Sequence, residues 1–252
     1  MNISLKNKTA IITGSVQGIG KQTAKRLLEA GASVVINNYT DEAALQKTAD
    51  ELGAFGPVKA VIADVTKENE AKKLIDAALE LGSTIDILIN NAGGLVKRVP
   101  IAEYNEEHFD TVMNVNLKSA FIMAKLVAPF MKKQQSGKII NLSSQAAHDG
   151  GGPGAAAYAA SKGAVWTFTK SLAKELGPHV TVNCLSPGFI DNTTFHTTFT
   201  PEDARKSMPS KILLGRAGAG DDIAKVALFL ASELADYLTG QSLEINGGLY
   251  MP

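Results

Sequence analysis

The chain has 252 residues, 45% of them apolar, which suffices for a sizeable buried core, and its basic and acidic side chains balance at 25 each. That balance gives no field for attracting nucleic acid or an anionic membrane, and no apolar run approaches the roughly 18 residues of a membrane span. The N-terminal Met1-Asn2-Ile3-Ser4-Leu5-Lys6 lacks a signal-peptide core and the lone Cys184 has no partner for an intramolecular disulfide, so a soluble cytoplasmic protein acting on a small molecule is the expectation.

Taken in order, the apolar run Ala10-Ile11-Ile12 predicts a strand near 8–13. It leads into Thr13-Gly14-Ser15-Val16-Gln17-Gly18-Ile19-Gly20 and then into a helical pattern near 18–30. A strand, a glycine-rich turn and a helix in that order expose backbone N–H groups and the positive end of a helix dipole to a phosphate. The ordinary alternative is a strand-to-helix turn that merely uses glycine. The spacing Gly-x-x-x-Gly-x-Gly departs from the general Gly-x-Gly-x-x-Gly dinucleotide fingerprint.

Further strands are predicted near 33–37, 58–63, 85–90, 137–142, 180–185 and 241–245, and helices near 41–52, 67–81, 105–132, 157–176 and 220–232. Such alternation predicts a single-domain α/β Rossmann fold, a doubly wound parallel sheet with helices on both faces and ligands at the carboxyl ends of the strands. Gly14, Asp64, Asn90, Ser144 and Pro187 all fall where a predicted strand ends, so they should meet along one edge. Cys184 lies inside a strand and reads as core. Asp149-Gly150-Gly151-Gly152-Pro153-Gly154 is a flexible turn, and the Thr- and Pro-rich stretch 190–215 is a flap over the substrate or an inert surface excursion.

Tyr158-Ala159-Ala160-Ser161-Lys162 carries the chemistry. On a helix, positions four apart share a face, so the phenol lies beside the ammonium. A nearby positive charge lowers a tyrosine pKa from its reference of about 10 and fits the residue for general acid–base work at a carbonyl. Taken alone the pair also reads as a surface tyrosine next to a solvated lysine.

Together the motifs resemble the short-chain dehydrogenase/reductase family over essentially the whole chain. They are Thr13-Gly14-x-x-x-Gly18-x-Gly20, Asp64-Val65, Asn90-Asn91-Ala92-Gly93, Asn116 in Val115-Asn116-Leu117, Ser144 in Asn141-Leu142-Ser143-Ser144, Tyr158-x-x-x-Lys162 and Ser186-Pro187-Gly188. The resemblance implies that Tyr158 is the proton donor, that Lys162 depresses its pKa and bonds the nicotinamide ribose, that Ser144 holds the substrate oxygen, and that Asn116 joins Lys162 in a water-linked proton relay. Ser143 competes with Ser144, and Asn114 stands close to Asn116. The interval from Ser144 to Tyr158 is one residue longer than the family pattern, which we assign to the glycine-rich turn.

The resemblance places a nicotinamide dinucleotide on Gly14, Ser15, Gln17, Gly18, Ile19 and Gly20. It adds Asn37 and Asn38 at the second strand, Asp64 and Val65 at the adenine, and Asn90 at the neighbouring ribose. Asn91, Ala92, Gly93, Tyr158, Lys162, Pro187, Gly188 and Ile190 complete the set, with Ile190 facing the carboxamide. The acid that selects NAD after the second strand is replaced by neutral Asn38, while no basic residue marks the glycine loop or Tyr39. NADP(H) is therefore favoured weakly over NAD(H). The Thr expected after Pro-Gly is Asn192, for which Thr193 or Thr194 is a substitute.

For the substrate, Lys97 and Arg98 follow Asn90-Asn91-Ala92-Gly93 on a loop that can reach the active-site mouth. Arg98 could clamp a carboxylate, Lys97 could add charge, and His148 could supply a polar contact. This looks like relatives that reduce keto sugar acids derived from uronates. The chain is similar also to 3-oxoacyl-carrier-protein reductases, in which the basic pair would dock an acidic carrier; a solvated surface pair is the plain alternative. A nucleotide-binding regulatory protein that lost its chemistry is a further reading, opposed by intact Ser144, Tyr158 and Lys162. No metal site is read, and the family resemblance implies a homotetramer.

Overall fold

The computed structural model describes residues 3–191 and 193–252. Seven strands form one sheet: β1 (Thr9–Ile12), β2 (Ser33–Asn38), β3 (Val58–Ile62), β4 (Ile87–Asn90), β5 (Gly137–Leu142), β6 (Val180–Pro187) and β7 (Ser242–Ile245). All neighbours are parallel, in the order β3-β2-β1-β4-β5-β6-β7. Parallel strands cannot be joined by tight turns, so helical crossovers connect them. These are α1 (Gly18–Glu29), α2 (Glu42–Gly53), α3 (Glu68–Gly82), α4 (Glu106–Met113) with α5 (Ser119–Gln134), α6 (Ala146–Asp149) with α7 (Ala156–Leu176), and α8 (Thr194–Phe199), α9 (Glu202–Ser207) and α10 (Gly220–Ala231) before β7.

The β-branched runs bury both faces of the sheet, because successive side chains point to opposite sides. Ile12, Ile36 and Ile140 pack on one face with Leu27 and Leu28 of α1 and Leu230 of α10. Their neighbours Ile11, Val35 and Ile139 pack on the other with Leu74 of α3, Val127 of α5 and Leu176 of α7. Arg26 bridges α1 to Asp221 of α10 through two bonds of 2.6 and 2.8 Å. These bonds hold the Asp221 carboxyl well below the usual carboxylate range.

Chain order starts at β1, moves outward to β3 and returns to β4 on the far side of β1. Loops after β1 and β4 therefore diverge and leave a crevice above their carboxyl ends. The predicted elements stand within a few residues of the observed ones, with one instructive exception. The single helix expected over 105–132 is interrupted by a π-helical turn, Asn114–Lys118, and runs on to Gln134. Asn116 sits in that wider turn and gives its amide to Val112 O at 2.9 Å and Gly94 O at 2.8 Å, so the helix deforms to reach a loop of the crevice.

Candidate active site

A cleft of about 560 Å³ lies over the carboxyl ends of β1, β4, β5 and β6. Its floor on one side is the loop from Gly14 to Gly20, where Gln17, Gly18, Ile19 and Gly20 all face the space. α1 begins there without a side-chain cap and without an acid in its first turn, whereas α2 and α4 are capped by Asp41 and Asn105. Unpartnered N–H groups at an uncapped helix start form an anion site. Gly20 is obligatory, because a Cβ there would stand 2.6 Å from Asn91 Nδ2 and 2.7 Å from Gly14 O. Thr13 braces the opposite loop, its hydroxyl accepting from the backbone N–H of Asn91 (3.1 Å) and Ala92 (2.9 Å). Asn91 returns the tie by donating to Gly14 O at 2.7 Å. A floor of backbone with scarcely any side chain fits a dinucleotide pyrophosphate.

Several polar residues expected to meet the cofactor instead turn inward. Ser15 is fully buried and donates to Ile12 O at 2.8 Å while accepting from Asn37 N at 2.9 Å. Asn37 gives its amide to Asn38 O, Val61 O and Ala63 O at 3.0 to 3.1 Å. Asn90 donates to Asn141 Oδ1 at 2.8 Å beneath the sheet edge. The reason is shared: each stands at or just after the end of a strand with its side chain pointing into the protein, where a buried polar group must be hydrogen-bonded. Asp64 and Val65 lie beyond the cleft wall, and the Asp64 carboxylate is engaged by Thr66 and Lys67. Of the second-strand residues, Asn38 and exposed Tyr39 do line the cleft. Asn91, Ala92, Gly93, Pro187, Gly188 and Ile190 stand in its wall. Asn192 lies outside the described residues. Thr193 donates to Ile190 O at 2.9 Å and Thr194 to Gln17 Oε1 at 2.7 Å.

α7 and the end of β5 bring Ser144, Tyr158 and Lys162 together in the opposite wall. The two serines separate cleanly: Ser143 is buried and donates to Lys162 O at 2.9 Å, whereas Ser144 faces the cleft beside Tyr158, close enough to favour its phenolate. Lys162 is buried, with Nζ donating to Leu142 O at 2.7 Å and lying 5.7 Å from the centre of the Tyr158 ring. Burial lowers its pKa to about 8. Burial also pushes the Tyr158 phenol up, only partly offset by the nearby Ser144 hydroxyl. Desolvation, not Lys162, sets the direction, because the half-buried phenol is largely removed from water and the ammonium is spent on the Leu142 carbonyl. Asn116 Oδ1 accepts from Gly94 N at 3.0 Å. Asn116 Oδ1 and Lys162 Nζ flank Gly93, at 2.5 and 3.1 Å from where its Cβ would be.

The substrate end differs more from expectation. Arg98 lines the cleft but Lys97 is exposed and outside it. Arg98 Nε donates to Phe199 O at 2.9 Å and Nη1 to Pro153 O at 2.8 Å, so much of its fork is committed to backbone. His148 does not reach the cleft; it packs between Trp166 and Tyr250, with Nε2 2.9 Å from Glu244 Oε1. The stretch from 190 contains α8, whose Phe195 ring stands 5.5 Å from that of Tyr158. His196, also in the wall, bonds Thr200 and is pushed down to about 4 by burial. Nothing in the sequence singled out Phe195 or His196, since aromatic residues in a weakly periodic stretch carry no motif. Cys184 is buried in β6.

Comparison with known proteins agrees with this geometry. A family model described as enoyl-(acyl carrier protein) reductase matches residues 14–250. The chain is 39% identical over 246 residues to 3-oxoacyl-[acyl-carrier-protein] reductase FabG of Thermotoga maritima, covering 97% of this chain and 98% of that one. It is 38% identical over 247 residues to the protein of that name from Staphylococcus epidermidis, covering 97% and 100%. Among solved structures it is similar to an NADH-dependent reductase A1-R' responsible for alginate metabolism (TM-score 0.87, 34% identity, 98% and 99% covered). It is similar also to a short-chain dehydrogenase/reductase, glucose/ribitol dehydrogenase, from Brucella melitensis (TM-score 0.92, 30% identity, both chains covered in full). With the hydroxyl, phenol and ammonium converging beside an uncapped helix start, and relatives aligned from end to end, the chain belongs to the short-chain dehydrogenase/reductase family and is an oxidoreductase acting between C=O and CH–OH.

Proposed function

We propose that the chain reduces a ketone with NADPH, and that its substrate is a 3-oxoacyl thioester on an acidic carrier. The curated relatives support the substrate; the convergence of Ser144, Tyr158 and Lys162 on one cleft is the observation that carries the chemistry. The N–H groups at the start of α1 would hold the pyrophosphate, Asn38 and Tyr39 would border the adenosine ribose, and Pro187, Gly188 and Ile190 the nicotinamide. A bound reduced nicotinamide supplies hydride to the carbonyl carbon. Ser144 donates a hydrogen bond to the carbonyl oxygen and Tyr158 gives it a proton as charge develops there. A phenol whose pKa is raised stays protonated at neutral pH, which suits an acid and hence the reductive direction. Lys162, with a pKa of about 8, is mostly charged at pH 7 and favours the phenolate left behind. Asn116 and Lys162, on either side of Gly93, would reprotonate Tyr158 through a water chain.

The absence of a carboxylate at Asn38 supports NADP(H) over NAD(H), with use of both expected. Exposed Lys97 fits contact with an acidic carrier. Exposed Phe109 of α4 and Phe121 of α5, at 45% and 50%, support a homotetramer assembled through these helices.

A second reading, reduction of a uronate-derived keto sugar acid, is favoured by Arg98 in the cleft wall and by the likeness to the alginate reductase. Following NADPH and NADH oxidation with the two substrates in parallel separates the readings. Faster turnover of the thioester is expected; faster turnover of the sugar acid would replace the first reading with the second.

A further inference from the structure

We infer that Arg98 is a positioning residue, the latch that holds α8 down over Tyr158. Its guanidinium spans two segments far apart in sequence, donating to Phe199 O at the last residue of α8 and to Pro153 O in the glycine-rich turn before α7. Carbonyls at a helix C-terminus lack helical partners and sit at the negative end of its dipole, so a cation is the fitting cap. Two carbonyls in divergent directions call for a planar fork, which arginine has and lysine lacks.

The glycine-rich turn is shaped around this side chain. A Cβ on Gly152 would lie in van der Waals contact with Nη1 at 3.4 Å. On Gly154, which has φ +75°, it would stand 3.0 Å from Val99 N and 3.1 Å from Arg98 Cβ. Val99 N donates to Gly154 O at 3.1 Å and seals the seam. This gives a physical reason for the glycine at 154.

The other end of α8 is tied to the cofactor loop by the Thr194 bond to Gln17, and Asp191 at its base takes two bonds from Arg205 of α9 at 2.8 and 3.1 Å. Phe195 lies between the two ties, one ring from Tyr158 and packed on Phe199 and His196. Freeing the Arg98 end should therefore withdraw Phe195 from the phenol and let water in. The Nε donor that a side-on grip on a substrate carboxylate needs is already taken.

The test compares the full-length chain with Arg98→Ala and Arg98→Lys by hydrogen exchange and by steady-state reduction of a neutral ketone and a keto acid. A charge-assisted hydrogen bond is lost, so amides of 194–211 should exchange about tenfold faster or more in Arg98→Ala, with β-sheet amides unchanged. kcat should fall by the same factor for both substrates, Arg98→Lys should recover part of each effect, and the second, more alkaline fall of the pH–rate profile, set by Tyr158 above the one set by Lys162, should move to lower pH as the phenol becomes hydrated. Phe195→Ala leaves both Arg98 bonds in place and should give the same shift of pH profile without faster exchange of the flap. Unchanged exchange of 194–211 in Arg98→Ala overturns the latch. A loss confined to the keto acid overturns it in favour of a carboxylate grip, and a wild-type pH profile in Phe195→Ala removes Phe195 from the coupling. The kinetic half rests on the reading of the cleft as a carbonyl site; the exchange half does not, so failure of one is distinguishable from failure of the other.

Discussion

The wall of the cleft below Gly14 to Gly20 offers backbone N–H groups and few side chains, whereas the wall made by α7 offers Tyr158 and Lys162 and takes its character from burial. On the first wall, polar side chains such as Ser15 and Asn37 do not line the cleft and hold the loops in place. On the second, the Tyr158 and Lys162 side chains border the cleft and are tuned by desolvation. The difference teaches that a site for a polyanion can be made by shaping the chain, while a site for proton transfer needs particular side chains in a particular dielectric.

The contrast is sharpest at Tyr158. Tyr158→Phe should cost about 10²- to 10⁴-fold in reduction with NADPH binding, read by fluorescence titration, unchanged; ordinary turnover would remove Tyr158 as the acid. For the wild type, reduction should decline as pH rises through about 8, where Lys162 loses its charge. Because that value lies below the 10.5 of an unperturbed lysine, the folded chain holds fewer protons than the unfolded one between the two, so this group makes stability rise with pH across that window. A pH–rate profile and denaturant melts at several pH values check both.

On the backbone wall, Gly20→Ala should destabilise by about 1–3 kcal/mol through overpacking and weaken cofactor binding, visible as a lower Tm and a larger Kd for NADPH. Asn37→Ala should lower stability by roughly 1–3 kcal/mol, since it strands buried carbonyls, while leaving the ratio of NADPH to NADH use as it was. A changed ratio would show that Asn37 meets the cofactor after all. Smallest, Asn38→Asp should move preference toward NADH by roughly tenfold through repulsion of a 2′-phosphate, measured as the ratio of kcat/KM values. No shift would mean the ribose is held elsewhere.

Much of this was legible in the sequence. Seven strands and the helices between them follow from β-branched runs and helical patterns, and of the motif residues at strand ends Gly14, Ser144 and Pro187 meet in the cleft as parallel topology requires, while Asp64 and Asn90 do not line it. Less legible was direction. Ser15 and Gly14 are adjacent, yet one is sealed between β1 and β2 and the other borders the cleft, because side-chain phase at the end of a strand depends on where the turn begins. His148 looked like a cleft residue by its distance from Ser144, but α6 turns it toward Trp166 and Tyr250.

By itself the sequence determined the fold class, the Tyr158–Lys162 pairing on one face of α7 and the glycine loop. These depend on local periodicity and on residue types four or fewer positions apart, which neighbours along the chain specify. Only the tertiary structure decided that Ser144 rather than Ser143 meets Tyr158, that burial and not Lys162 governs the phenol, and that Arg98 is bound by Phe199 and Pro153. Each of those depends on contacts between segments distant in sequence and on the dielectric they enclose, neither of which is encoded in any one stretch of the chain.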